Sequence, residues 1–236
     1  MVRAVQDDLM APVGQGGPAI GEVPDIVGLR RLEAARVVEL WSARTAALGS
    51  RDDVAYVFVF ENRGRAVGAT IDHPHSQITA FEAIPPIPED ELSAGKCGFC
   101  QDPDDDLLVV RRSGWQAAVP WAPSWPYELL ISPLAHVADL PAAGSELRAA
   151  LGAMLVDALT RVERLLGPGA PYMLWVHQRP AGGDDWPAAH LHLHLAPVRR
   201  APGVTRHLAA AEFGAGVFFD PVDPRQAAAH LRSPSA

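Results

Sequence analysis

Lysine is almost absent from this chain: Lys96 is the only one, and the formal charge is −8 from 20 basic and 28 acidic residues. No basic run exceeds two residues. A nucleic-acid groove, which needs clustered Lys and Arg, is therefore not expected. Cysteine is nearly as scarce, with Cys97 and Cys100 alone. Two thiols cannot make the disulfide framework of a small secreted domain, and their C-x-x-C spacing points to a metal clip or a redox pair. The sequence also lacks any apolar stretch near the roughly 18 residues that a membrane span requires, and its N-terminus has no apolar core of signal-peptide length. Neither secretion nor membrane binding is expected, and the cytoplasm is the default compartment.

What remains describes a globular protein. Hydrophobic residues make up 48% of 236, and mean hydropathy is close to zero at +0.04. That length fits one large domain or two small ones.

The chain reads as two copies of one plan. In the first, residues 29–48 are amphipathic, with Leu29, Leu32, Val37, Leu40, Trp41 and Leu48 recurring near helical spacing before Gly49. A strand over 54–60, a glycine-containing bend and a second strand over 72–80 follow. In the second, residues 145–166 carry Leu147, Leu151, Met154, Leu155, Leu159, Val162 and Leu166 at helical spacing, stopped by Gly167-Pro168. A strand over 172–177, a bend at Ala181-Gly182-Gly183 and a strand over 189–196 complete it. Tyr56 precedes His73 by 17 residues and Tyr172 precedes His190 by 18. The second copy has three further strands ahead of its helix, over 107–111, 116–119 and 127–132. The first has no room for their counterparts. Pro85-Pro86-Ile87-Pro88 breaks the chain between copies, since proline cannot continue a sheet ladder, and a short helix should begin at Glu89. The expectation is an α+β protein of two antiparallel sheets, each backed by a helix: an irregular segment over 1–26, a truncated copy over 27–88, and a complete copy over 89–236. The acidic run 102–106 reads as a solvated turn, and His207 and His230 as surface residues.

The segment His73-Pro74-His75-Ser76-Gln77 is the most informative. Alternate residues of an extended chain share a side, so His73, His75 and Gln77 project together. Such a pair of imidazoles can present a nucleophile to a phosphate, or it can bind a metal or simply make hydrogen bonds. Asn62-Arg63-Gly64, by itself, is an ordinary hairpin turn.

A larger pattern surrounds that segment. FENRG at 60–64, GAT at 68–70, HPHSQ at 73–77, WPYELLISPLAHV at 125–137, HLHLHLAP at 190–197 and EFGAGVFFDPVDP at 212–224 occur in order. Together they resemble galactose-1-phosphate uridylyltransferase, a branch of the histidine-triad superfamily, from about residue 29 to 232. The resemblance implies a duplicated histidine-triad-like fold and ping-pong transfer of UMP from UDP-glucose to galactose 1-phosphate. His75 would be the nucleophile, and Gln77 would donate to a phosphate oxygen where hydrolase branches carry a histidine. Asn62, Gly68 and Thr70 match phosphate and sugar contacts. Partners would be a sugar nucleotide and a hexose 1-phosphate, bound by backbone amides, imidazoles and a few arginines against an unfavourable overall field.

The resemblance also completes the cysteine clip, implying Zn2+ at Cys97, Cys100, His136 and His190. Some relatives hold a second metal, iron or zinc, through a glutamate and three histidines, here Glu91, His177, His192 and His194. The complete H-x-H-x-H pattern admits a rival, a nucleotide hydrolase or phosphorylase with His192 as nucleophile. Family members usually carry more N-terminal sequence, so the resemblance implies that a separate chain could supply that piece, or that the protein is an inactive or split-enzyme subunit. A homodimer is the expected assembly.

Overall fold

The computed structural model describes residues 4–7, 31–69, 75–183 and 185–233. The apolar period of the second copy forms its helix where expected, Ser145–Leu166. Leu151, Met154, Leu155, Leu159, Val162 and Leu166 are all buried. The helix of the first copy, Arg31–Gly49, buries Ala34, Val38, Trp41 and Leu48 and leaves Leu40 exposed. In chain order the elements are β1 (Ala4–Asp7), α1 (Arg31–Gly49), β2 (Tyr56–Arg63), β3 (Ser76–Phe81), α2 (Pro86–Ser93), β4 (Leu108–Arg112), β5 (Trp115–Ala118), β6 (Leu129–Pro133), α3 (Ser145–Leu166), β7 (Tyr172–His177), β8 (His192–Pro197), β9 (Arg199–Ala201), β10 (Val204–Thr205), α4 (Ala210–Ala215) and α5 (Pro224–Arg232).

The protein is α+β, and eight strands drawn from both copies run together as one sheet in the order β1-β3-β2-β7-β8-β6-β5-β4, while β9 and β10 pair as a separate two-stranded ribbon. The seam is the antiparallel pair β2–β7, where Val59 faces Val176 and Phe60 faces Trp175. The third and fourth positions after Tyr56 thus meet the fourth and third after Tyr172, the pairing of an approximate two-fold axis. Around that axis β1 occupies beside β3 the place that β6 occupies beside β8. The segment expected to be irregular therefore contributes a strand, with Ala4 opposite Phe81 and Asp7 opposite Ile78. The proline run opens a helix as well as breaking a strand: Pro85 caps α2 and Pro86 begins it, because proline's fixed φ suits the first helical turn.

Strand alternation divides the sheet into two faces. Val57, Val59, Ile78, Leu174, Val176, Leu193, Leu195, Leu129 and Ile131 form one buried core with the apolar stripes of α1 and α3. The two helices meet closely at Gly152, where an added Cβ would lie 2.6 Å from Ala35 N and 2.8 Å from Ala34 C. A buried amide ties this layer together: Gln178 donates to Val57 O at 3.1 Å and accepts from Leu140 N at 3.2 Å. The opposite face carries the histidines.

Candidate functional site

Register fixes the composition of that second face. Gln77 faces Phe60, Phe60 faces Trp175, and Trp175 faces His194. One step along the sheet, His177 faces His192. Asn62, two residues beyond Phe60, falls on the same face by alternation, and His75, immediately ahead of β3, continues the alternation of Gln77. His75, Gln77 and Asn62 are each half-buried. Their backbone is anchored from the core side. Ser76, between the two, donates to Glu61 Oε2 at 3.0 Å, and the Tyr172 hydroxyl donates to Glu61 Oε1 at 2.6 Å. Burial pushes the Glu61 carboxyl above its ordinary value, against both donors and against nearby His75. Gly68 ends a 3-10 turn over Arg65–Val67 with φ 81° and open space where a Cβ would be, a conformation that favours glycine. His73 and Thr70 lie outside the described residues.

The cysteine clip closes on the residues expected of it. Cys97 Sγ lies 3.1 Å from His190 Nδ1, Cys100 Sγ lies 3.2 Å from His136 Nδ1, and Cys100 Sγ lies 3.8 Å from His190 Nδ1. A tetrahedral zinc with bonds of about 2.3 Å to sulfur and about 2.0 Å to nitrogen sets S and N roughly 3.5 Å apart. The donor set fits such an ion. His190 Nε2 donates to Pro133 O at 3.1 Å, which leaves the Nδ1 lone pair facing the thiols. Burial lowers the His190 pKa to about 4, keeping the ring neutral and able to ligate.

A second group gathers Glu91, His177, His192 and His194, with one potential donor atom from each within 4.8 Å of the others. Outer partners orient two of the three imidazoles. His192 Nδ1 donates to His190 O at 2.8 Å, and His194 Nδ1 donates to Glu128 Oε1 at 2.8 Å. The Nε2 atoms of both rings are buried without a hydrogen-bond partner. His192 Nε2 is 3.5 Å from Glu91 Oε2, just outside hydrogen-bond geometry. His177 Nδ1 donates to Glu91 Oε2 at 2.9 Å. Burial opposes ionisation of Glu91, but the His177 and His192 imidazoles outweigh it and hold the carboxyl well below the usual range. Burial lowers His194 as well, with the Glu128 carboxylate acting in the other direction. Two inward lone pairs, a carboxylate and a third imidazole suit a divalent cation, and orphaned buried nitrogens are otherwise costly.

Sequence spacing held no sign of three neighbours of this group. Glu128, only 3% exposed, also accepts from Ser124 N and Trp125 N at 2.8 and 3.2 Å. Tyr127 before it adopts φ 62°, a conformation rare for a bulky residue. Trp175 stacks on His194 at 4.7 Å between centroids, and Phe99 stacks on His192 at 4.1 Å. Only tertiary contact makes these residues part of the site.

Among known structures, that of a uridylyltransferase mutant matches with a TM-score of 0.84 at 28% identity, over 89% of this chain and 73% of that one. Fold and ligand groups thus define a protein of the uridylyltransferase class. The family model for the galactose-1-phosphate uridyl transferase N-terminal domain matches residues 24–85, and that for the C-terminal domain matches residues 100–204. Galactose-1-phosphate uridylyltransferase of Thermotoga maritima is 32% identical over 86% of this chain and 67% of its own length. ADP-glucose phosphorylase of Arabidopsis thaliana is 26% identical over 83% of this chain and 56% of its own length. The chain belongs to the galactose-1-phosphate uridylyltransferase family, a family of nucleotidyltransferases, and spans between about half and two thirds of the length of the relatives it matches.

Proposed function

We propose that the protein transfers UMP from UDP-glucose to a hexose 1-phosphate, galactose 1-phosphate in the first instance, through a covalent intermediate on His75. What supports this reading is that Gln77 and Asn62 lie on adjoining strands, on the sheet face opposite α1 and α3, with His75 immediately ahead of β3. A ring nitrogen of His75 attacks the α-phosphorus as the bond to the bridging oxygen breaks, and glucose 1-phosphate leaves with that electron pair. A phosphate oxygen of the acceptor then attacks the same phosphorus and the P–N bond breaks, returning the imidazole. Gln77 can donate an N–H to a phosphate oxygen in both steps but has no proton to lose. That difference favours waiting for an acceptor over protonating a departing group. Asn62 offers a second amide donor beside it.

The metal groups serve this face as supports. We read Cys97, Cys100, His136 and His190 as a zinc site, because thiolates prefer zinc, and Glu91, His177, His192 and His194 as a site for iron or zinc. Bound cations there would hold β8, α2 and the clip in one arrangement. The alternative in which His192 attacks the nucleotide has one feature in its favour, the Nδ1–carbonyl bond that aims Nε2 inward. Against it, Nε2 lies 3.5 Å from Glu91 Oε2, a carboxylate that would repel a phosphate.

Exchange of labelled glucose 1-phosphate into UDP-glucose, with no second sugar phosphate present, tests the reading. Exchange should occur with the native chain and be lost in His75→Ala. Exchange that survives His75→Ala and disappears in His192→Ala would transfer the chemistry to the second histidine cluster. Absence of exchange in the native chain, with transfer intact on adding acceptor, would replace the covalent intermediate by direct displacement.

A further inference from the structure

We infer that the two ligand groups load as a coupled pair, with Phe99 as the positioning residue through which the cysteine clip organises the second site. The inference rests on both groups taking metal, and it concerns what connects them.

Three connections are present. Phe99 lies inside the clip, between Cys97 and Cys100, and its ring stacks on His192 with centroids 4.1 Å apart and planes 25° apart. The same ring is 5.8 Å from that of His190. His190 and His192 are themselves linked, since His192 Nδ1 donates to the carbonyl of His190 at 2.8 Å. Fixing the His190 backbone by ligation therefore fixes the hydrogen bond that turns His192 Nε2 inward. Finally, Glu91 and Cys97 lie six residues apart on one short segment, with α2 ending at Ser93 and the clip beginning four residues later. Closing the clip anchors the segment that delivers Glu91.

The space between these parts explains why an anchor matters. A cavity of about 490 Å3 separates α2 and the clip from the sheet, lined by Glu91, Phe99, His177 and His192 among others. Lys96 and Cys100 are exposed. Nothing apolar other than Phe99 stacks on His192 among the described ring contacts. Without metal, the described hydrogen bonds from the two cysteines to the sheet side are thiol–imidazole contacts alone. A closed clip holds Phe99 covalently on both sides through coordinated neighbours. Outer-sphere partners of metal-bound histidines commonly change affinity by about ten- to a hundredfold, and coupling between sites is reciprocal by linkage.

Cobalt titration of the metal-stripped full chain tests this. Thiolate-to-cobalt charge transfer reports the clip, and total bound cobalt by elemental analysis reports both sites. In the native chain the second equivalent should bind more tightly once the clip is filled. Phe99→Ala should keep the thiolate–cobalt absorption and weaken the second site by about tenfold, whereas Phe99→Tyr, which keeps the stacked ring, should restore it. Glu91→Gln should weaken the clip by the factor by which an empty clip, in Cys97→Ser/Cys100→Ser, weakens the second site. Far-ultraviolet circular dichroism on each variant confirms that the fold persists. Second-site affinity unchanged in Phe99→Ala, or unchanged in the double serine variant, would overturn the coupling while leaving both sites in place. Failure of the native chain to bind any cobalt at either group would overturn the metal reading and the coupling together.

Discussion

In the proposed mechanism, Gln77 is the residue that favours transfer over hydrolysis. It sits opposite Phe60 on the open face, and its place in the second copy is taken by His194, opposite Trp175. An imidazole at position 77 could donate a proton to a leaving group, which an amide cannot. Gln77→His should raise hydrolysis of UDP-glucose relative to transfer by at least about tenfold. The check is the ratio of free UMP to UDP-hexose formed with acceptor present, and an unchanged ratio would deny the amide this role. Glu61 carries a different prediction. Its carboxyl is raised above 4.5 by burial, so above that pH the folded state keeps a proton that the unfolded chain has released. Its stabilising contribution is full below pH 4.5 and is lost as pH rises through the folded-state value. Urea unfolding of the native chain against Glu61→Gln should show the native chain losing ground as pH rises above 4.5. A difference that does not vary with pH would mean that Glu61 ionises as freely in the fold as out of it.

At the scale of elements, α1 and α3 cross where α3 has no side chain. Gly152→Ala would drive a Cβ into the α1 backbone at 2.6 Å from Ala35 N, and backbone cannot move aside as a flexible side chain could. A loss of about 1–3 kcal/mol is expected from such overpacking, read as a lower urea midpoint with unchanged slope. A midpoint equal to the native one would show that the helices separate freely. This crossing was not legible in the sequence, which offered only a glycine inside a helical pattern. By contrast α3 itself and β7 were, because an unbroken apolar period ending in Gly167-Pro168, and a short apolar run over 172–176 after it, each fit one structure. β6 begins at Leu129 rather than Tyr127 because Tyr127 turns the chain through φ 62°, and no propensity rule signals that for a tyrosine. α2 starts at Pro86, three residues ahead of the expected Glu89, because the same prolines that interrupt a sheet also suit a helix start.

At the scale of the molecule, the sequence duplication becomes an approximate two-fold axis between β2 and β7, and what looked like two sheets is one. Near-equal spacing of the motifs, 17 and 18 residues, made the two copies visible. It could not show that the copies join edge to edge, since that contact depends on the register of Val59 with Val176. The members of the cysteine site became known through likeness to relatives, and the structure brings all four together. Glu128 and Phe99, distant from the histidines in sequence, emerge only from the folded face. The two copies have diverged along that axis: the second places Glu91 and three imidazoles around a cation-sized space, whereas the first sets Gln77 beside His75. Chemistry on one half and metal support on the other is the central claim. Brief incubation with UDP-glucose alone, acid-free quenching and peptide mass spectrometry test it most directly. A uridylyl adduct on His75, with glucose 1-phosphate released in equal amount and no adduct in His75→Ala, is the predicted result. An adduct on His192, with the His75 peptide unmodified, would contradict it.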